Sequence, residues 1–399
     1  MRGGLHNPLQ PCKEIFVVLA VCLVSALAVN AQTFKVVHSF HGWDGNNPYS
    51  ALMQGTDGNL YGTTVDGGPN HGGNIFKITL AGTLTRLYNF CSLAQCADGE
   101  YPVMALVEGP DGNFYGTTQS GGTSGGWGTV FKITPTGALT TLHSFGGPDG
   151  AGPYSPLLVA SDGNFYGTTN GGGTSNAGTV YRITSSGTLT TLYNFCSQSG
   201  CEDGQYPVGA IIQASDGNIY GTTHAGGSYA SCNVDGCGTI FKITLSGNLT
   251  TLHAFATTDG EYPYGGVIEG PGNVFYGTTG AGGAGGDGTV FSMTAAGTIS
   301  TLHSFDGTDG ATPYAILLGS DGKLYGTTET RGRDFGGTIF KMTTDGTLAT
   351  VHNFDGTNGK NSYSGLVEVA KHIFYGTTYF GGAKSDGTIF SISVAGAAK

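Results

Sequence analysis

Charge is what this chain has least of. Lys and Arg together number 16 in 399 residues, Asp and Glu 27, and charged residues make up 11% of the sequence, against roughly a quarter in ordinary globular domains. A chain of net charge −11 with so few cations does not assemble the basic face that follows a phosphate backbone, so nucleic acid is disfavoured as a partner. Helical periodicity is missing beyond the first 31 residues, which argues against α and alternating α/β folds. Long apolar runs are missing as well, with one exception: IFVVLAVCLVSALAV, Ile15 to Val29. It falls short of the ~20 residues that span a bilayer. Preceded by Arg2 and Lys13 and closed by Val29-Asn30-Ala31, it has the order of a secretory signal cleaved after Ala31. Val21 ahead of Cys22 argues against a lipoprotein signal. The expectation is a signal over residues 1–31 and an exported domain over 32–399 with no transmembrane segment, placed outside the cell, on its surface or in the periplasm.

Cysteine is scarce but ordered. Cys12 and Cys22 leave with the signal, and the other six fall into three pairs of equal spacing: Cys91 and Cys96, Cys196 and Cys201, Cys232 and Cys237. Local pairs on an exported chain point to disulfides. Zinc is the rival, but the two-residue knuckle spacing and supporting histidines are missing near them.

What the chain has in abundance is glycine, 73 residues, and repetition. The tetrapeptide YGTT recurs at Tyr61, Tyr115, Tyr166, Tyr220, Tyr276, Tyr325 and Tyr375, a period near 50 that fixes the architecture before any local motif is read. Each unit holds four runs rich in β-branched and aromatic residues, such as PYSALMQ, NLYGTT, GTVFKIT and LTTLHSF, separated by Gly, Asn and Asp. Four short antiparallel strands repeated seven times predict an all-β, seven-bladed β-propeller. The chain opens on a fourth-type run, TFKVVHSF at 33–40, and ends after a third-type run, GTIFSIS at 387–393. Pairing the two closes the ring and leaves no orphan edge.

Connection lengths sort by face. Turns after the first and third strands are short; those after the second and fourth are long, and the long-loop face carries every cysteine pair and both tryptophans. Function on repeat scaffolds concentrates on such loops. Asp44, Asp98, Asp149, Asp203, Asp259 and Asp309, with Asn358 in the seventh place, precede the start of each first strand. They read as a carboxylate ring for a divalent cation at the channel mouth or, the favoured reading, as turn residues bonding local backbone. The residue after YGTT varies most and includes His224 and Glu329, with Arg331 and Arg333 close behind; the pair are candidates for acid and base roles, although chance supplies such residues in seven loops. Histidines 38, 143, 253, 303 and 352 alternate with Tyr88 and Tyr193 at one fourth-strand position, which reads as packing with a polar tip. Trp43, Tyr49, Trp127, Tyr154, Tyr264 and Tyr314 are candidates to stack on sugar rings.

The unit DGNFYGTTQSGGTSGGWGTVFKITPTGALTTLHSF resembles the GloVer tandem repeat of exported bacterial "choice-of-anchor" proteins, and the match covers residues 33–393. The resemblance implies export and a repetitive β architecture and brings no agreed activity. The chain departs from the commoner layout in ending at SVAGAAK without a sorting or anchoring segment, in VAKHIF in the seventh unit and in GPGN in the fifth. A more distant similarity is to streptogramin lyase-like propellers, whose second strand carries Trp-Phe-Thr where this chain has Tyr-Gly-Thr; lyase activity does not follow from it. The Trp motifs of quinone-dependent propeller dehydrogenases are missing. The expected function is binding or surface interaction with a polysaccharide or a protein, the alternatives being a lyase-like or glycan-active enzyme and a structural surface component.

Overall fold

A computed structural model describes residues 32–227, 232 and 235–394; the expected signal segment, 1–31, lies outside the described residues. The first repeat forms an antiparallel sheet of Met53–Gln54, Leu60–Thr64, Asn74–Ile78 and Leu84–Asn89, in that spatial order. Six more such sheets follow along the chain, making seven, the third with an extra short strand, Ala151–Pro153. The chain is a seven-bladed β-propeller. Its last blade lacks an outer strand of its own and takes Thr33–Ser39, which pairs antiparallel with Thr388–Ser393 from Thr33 opposite Ser393 to Ser39 opposite Thr388. Chain start and chain end thus share one sheet, and no blade is left with an open half.

There is no single core. Seven apolar clusters lie one between each pair of neighbouring blades. Between the first and second blades, for example, Tyr61, Ile75 and Phe90 meet Leu106, Phe114 and Phe131. Such stacking lets a chain this long fold without a core too thick to fill.

The repeated octapeptide DGNLYGTT is explained letter by letter. Gly58 takes φ +78° in the tight turn, where a side chain is disfavoured. Asp57 accepts hydrogen bonds from the Asn59 N–H and from the Tyr61 hydroxyl, at 3.0 and 2.9 Å. The Tyr61 ring packs 4.2 Å from Phe114 of the next blade. A Cβ on Gly62 would stand 2.6 Å from the Phe76 ring, so only glycine lets the third strand's aromatic lie flat on the second. Thr63 donates to the Met104 carbonyl of the next blade. Where the aspartate is lost, in the fifth and seventh units, the tyrosine is less well covered: Tyr276 and Tyr375 are 7% and 6% exposed while Tyr115 and Tyr166 are 0%. Tyr375 turns instead to the Leu80 carbonyl.

Consecutive blades are also joined through the backbone. The residue just ahead of the proline at each blade entry, or of Ser362 in the seventh, is left-handed in all seven repeats: Asn47, Tyr101, Gly152, Tyr206, Tyr262, Thr312 and Asn361 have φ between 54° and 58°. Its N–H donates to the preceding blade, as Asn47 does to the Asp386 carbonyl and Tyr206 to that of Ala177. Its carbonyl accepts from the blade it enters, as Asn47 does from Val65 and Tyr206 from His224. A left-handed non-glycine residue costs on the order of 1–2 kcal/mol, and it persists because both of its backbone groups are fixed by two different blades.

The three cysteine pairs are disulfides, Cys91–Cys96, Cys196–Cys201 and Cys232–Cys237. Each closes a loop on the long-loop face.

One residue conflicts with its surroundings. Six repeats place Phe on the third strand, whereas the third places Tyr181, whose ring is fully buried and whose hydroxyl has no hydrogen-bond partner. A buried unsatisfied hydroxyl costs about 1–3 kcal/mol. Tyr181→Phe is therefore expected to stabilise the protein by about 1 kcal/mol, read as a higher midpoint in urea unfolding at unchanged slope; a lower midpoint would contradict this.

Candidate functional site

Two residues past the left-handed junction, each blade-entry segment presents one side chain at the channel. In order around the ring these are Tyr49, Val103, Tyr154, Val208, Tyr264, Tyr314 and Tyr363. The tyrosines converge on the mouth of the central channel. Tyr49 stacks on Tyr363 at 5.0 Å and 14°, and Tyr264 on Tyr314 at 5.0 Å and 9°. Tyr49 meets Tyr154 edge-on at 5.8 Å, and its hydroxyl lies 3.4 Å from that of Tyr314. Tyr379 adds a sixth ring, 5.2 Å from Tyr363. The shorter Val103 and Val208 make the collar asymmetric, lower on the side of the second and fourth blades.

Beneath the collar is a cavity of about 470 Å³ lined by small and apolar residues, including Ala51, Ala105, Pro156, Ala210, Ile316 and Leu366. Among the described residues no Lys or Arg lines it. Burial raises the hydroxyl pKa of Tyr49, Tyr154, Tyr264, Tyr314 and Tyr363, which keeps the collar neutral. Its hydroxyls are protonated and available for hydrogen bonding.

His224 and Glu329 flank the collar. The His224 ring stacks on Tyr262 at 4.7 Å and on Tyr264 at 5.0 Å, burial lowers its pKa, and its Nδ1 is buried without a hydrogen-bond partner. Glu329 accepts the Tyr363 hydroxyl at 3.1 Å, and burial raises its pKa. Among the described residues no hydrogen bond or ion pair links the two. The stacked Tyr264 and Tyr314 stand between them, so the residues suggested by sequence meet at one mouth but not as a catalytic couple.

The six aspartates are directed elsewhere. Each binds its own outer strand: Asp44 takes the His38 imidazole at 3.0 Å, Asp149 that of His143 at 2.7 Å, Asp259 that of His253 at 2.9 Å and Asp309 that of His303 at 2.6 Å. Asp98 and Asp203 accept from Tyr88 and Tyr193, both at 2.8 Å. Local backbone N–H groups supply further bonds, from Ser92 to Asp98 and from Gly146 to Asp149. The polar tips of His38, Tyr88, His143, Tyr193, His253 and His303 are therefore tied to the turn carboxylates, not to one another across the channel.

Trp43 and Trp127 lie outside the collar, 66% and 50% exposed. The Arg86 guanidinium sits 5.1 Å above the Trp43 ring. Arg331 is paired with Asp287 at 3.1 Å and Arg333 with Asp334 at 2.9 Å, and neither lines the cavity. Sequence reasoning missed Tyr363. The seventh repeat has Ser362 in place of the proline that precedes Tyr49, Tyr154, Tyr264 and Tyr314, so only strict alignment to the repeat would have found it.

These features define a class first, a closed propeller built from one repeat with an aromatic collar at its long-loop end. The model of the Gloeobacter/Verrucomicrobia repeat family matches residues 22–234 and 211–399, and the chain belongs to that family. No curated protein matches it. Among solved structures it is similar to streptogramin B lyase, at 16% identity and a TM-score of 0.63, over 92% of this chain and 98% of that one. It is also similar to the extracellular domain of a B. thetaiotaomicron protein described as a hybrid two-component system, at 11% identity and a TM-score of 0.62, over 92% of this chain and 40% of that one. A second such extracellular domain from the same organism gives 14% identity and a TM-score of 0.57, over 90% and 41%. At these identities the likeness shows the fold. Among the described residues no helix is long and apolar enough to cross a membrane, and the disulfides are consistent with export.

The carboxyl of Glu329 carries a testable consequence. With its pKa above the ordinary 4.5, the folded chain binds more protons than the unfolded one across that window, so stability falls as pH rises through it. Relative to the native protein, Glu329→Gln is expected to gain stability between about pH 4 and about pH 7.5 in urea melts. A difference that does not change over this range would contradict the assignment.

Proposed function

We propose that this is an exported binding propeller, its signal removed after Ala31, which engages a neutral glycan at the tyrosine collar. The observation that carries the reading is the convergence of Tyr49, Tyr154, Tyr264, Tyr314 and Tyr363 over an apolar cavity that, among the described residues, no Lys or Arg lines. A sugar ring has an apolar face and hydroxylated edges, and rings of tyrosine offer the complement of both. The extracellular position of two structural neighbours agrees with this reading. A protein partner is the second reading, favoured by the exposed rim of Trp43, Trp127 and Phe335, the last 81% exposed.

A glycan array followed by titration tests this. Tyr154→Ala and Tyr264→Ala are each expected to weaken binding of a captured neutral glycan by about tenfold, the equivalent of one stacked ring. Thr136→Ala, in a short turn on the opposite face, is expected to leave it unchanged. Affinity that ignores both collar substitutions but falls with Thr136→Ala would place the site on the wrong face. Loss confined to Trp43→Ala or Phe335→Ala would favour the protein reading.

A further inference from the structure

The seam where the ring closes holds a group of side chains that no other repeat reproduces. The segment HSFHGWD, 38–44, leaves the closing strand and leads into the first blade. His38 Nε2 lies 3.0 Å from Asp44 Oδ2, and His41 Nδ1 lies 3.3 Å from the same oxygen. The three donor atoms all fall within 4.8 Å of one another. The His41 N–H donates to Asp44 Oδ1 at 2.8 Å, which fixes the carboxylate so that its second oxygen faces both imidazoles. Phe40 packs edge-on against the His38 ring at 5.0 Å and holds it in place.

The repeats supply their own control. The pairing of an outer-strand His with a turn Asp recurs in the third, fifth and sixth connections, and is therefore architecture. The place of His41 is taken elsewhere by Cys91, Gly146, Cys196, Ala256, Asp306 and Asp355. The two cysteines are closed in disulfides, and the two aspartates bond Thr308 and Thr357 in their own turns. Only this connection brings a second imidazole to the pair.

We propose that His38, His41 and Asp44 bind one divalent transition-metal ion of the zinc class, at the joint between the closing strand and the first blade. Two imidazoles and a carboxylate are the donor set such ions take, whereas magnesium and calcium prefer oxygen alone. Metal bonds of ~2.0–2.2 Å set tetrahedral donors about 3.3 Å apart, close to the 3.0 and 3.3 Å between Asp44 Oδ2 and the His38 and His41 rings. The remaining adjustment falls on His41, whose side chain is 44% exposed and free to swing. Its exposed side leaves room for water or a further ligand.

Calorimetric titration of the untagged, disulfide-bonded protein with Zn²⁺ tests the proposal. The expected result is one ion per chain, with His41→Ala weakening the affinity at least tenfold. His71→Ala, an exposed histidine of the neighbouring groove that also holds Trp43, is expected to bind as the native protein does. The proposal is overturned by an absence of saturable binding, by His41→Ala binding as tightly as the native chain, or by His71→Ala losing as much as His41→Ala.

Discussion

The left-handed residue at the entry to every blade is the constraint on which the rest of this molecule depends. Its N–H belongs to the blade behind and its carbonyl to the blade ahead, so seven residues tie seven sheets at one level along the channel. Apolar contact between blades is larger in total but non-directional; by itself it would allow neighbouring sheets to slide. The paired backbone hydrogen bonds remove that freedom. The third-strand glycine of the preceding blade packs against the following proline, and a Cβ on Gly128 would lie 2.7 Å from Pro153.

The site follows from the same junction. The side chain two residues on is placed at the channel mouth in every blade, which turns a sequence position into a ring of seven. The residue whose N–H reaches the junction's carbonyl, His224 in the fourth blade and Tyr379 in the seventh, is brought alongside that ring. The scaffold therefore fixes two concentric sets of positions and leaves their identity free. Tyrosine fills five of the inner set, and the variable outer set holds the half-buried His224 and Glu329. Rigidity at the backbone and variety at the side chains is what a binding surface built on repeats requires.

Much of this was legible in the sequence, for reasons that differ from part to part. The period, the strand order and the out-of-phase termini give the propeller and its closing strand, because each depends on composition at fixed spacing. The cysteine pairs were legible because a five-residue loop leaves few alternatives. The junction was not: Asn, Tyr, Gly and Thr all occupy it, so its left-handed conformation is imposed by two blades and has no local signature. The aspartates show the opposite difficulty. Their regularity allowed a carboxylate ring as well as the favoured turn role, and their partners, six or ten residues earlier on the outer strand, were hidden because the cysteine insertions separate Tyr88 from Asp98 and Tyr193 from Asp203. Four of the collar tyrosines carry the Pro-Tyr signal; Tyr363, behind Ser362, does not.

Native-state hydrogen exchange at the junction amides tests the central claim most directly. If these bonds hold the ring, the N–H groups of Asn47, Tyr101, Tyr206, Tyr262, Thr312 and Asn361 exchange only through global opening, with the same free energy as amides in the buried second strands. Exchange of these amides at loop-like rates, while the second strands stay protected, would show that the blades are held by their apolar faces alone.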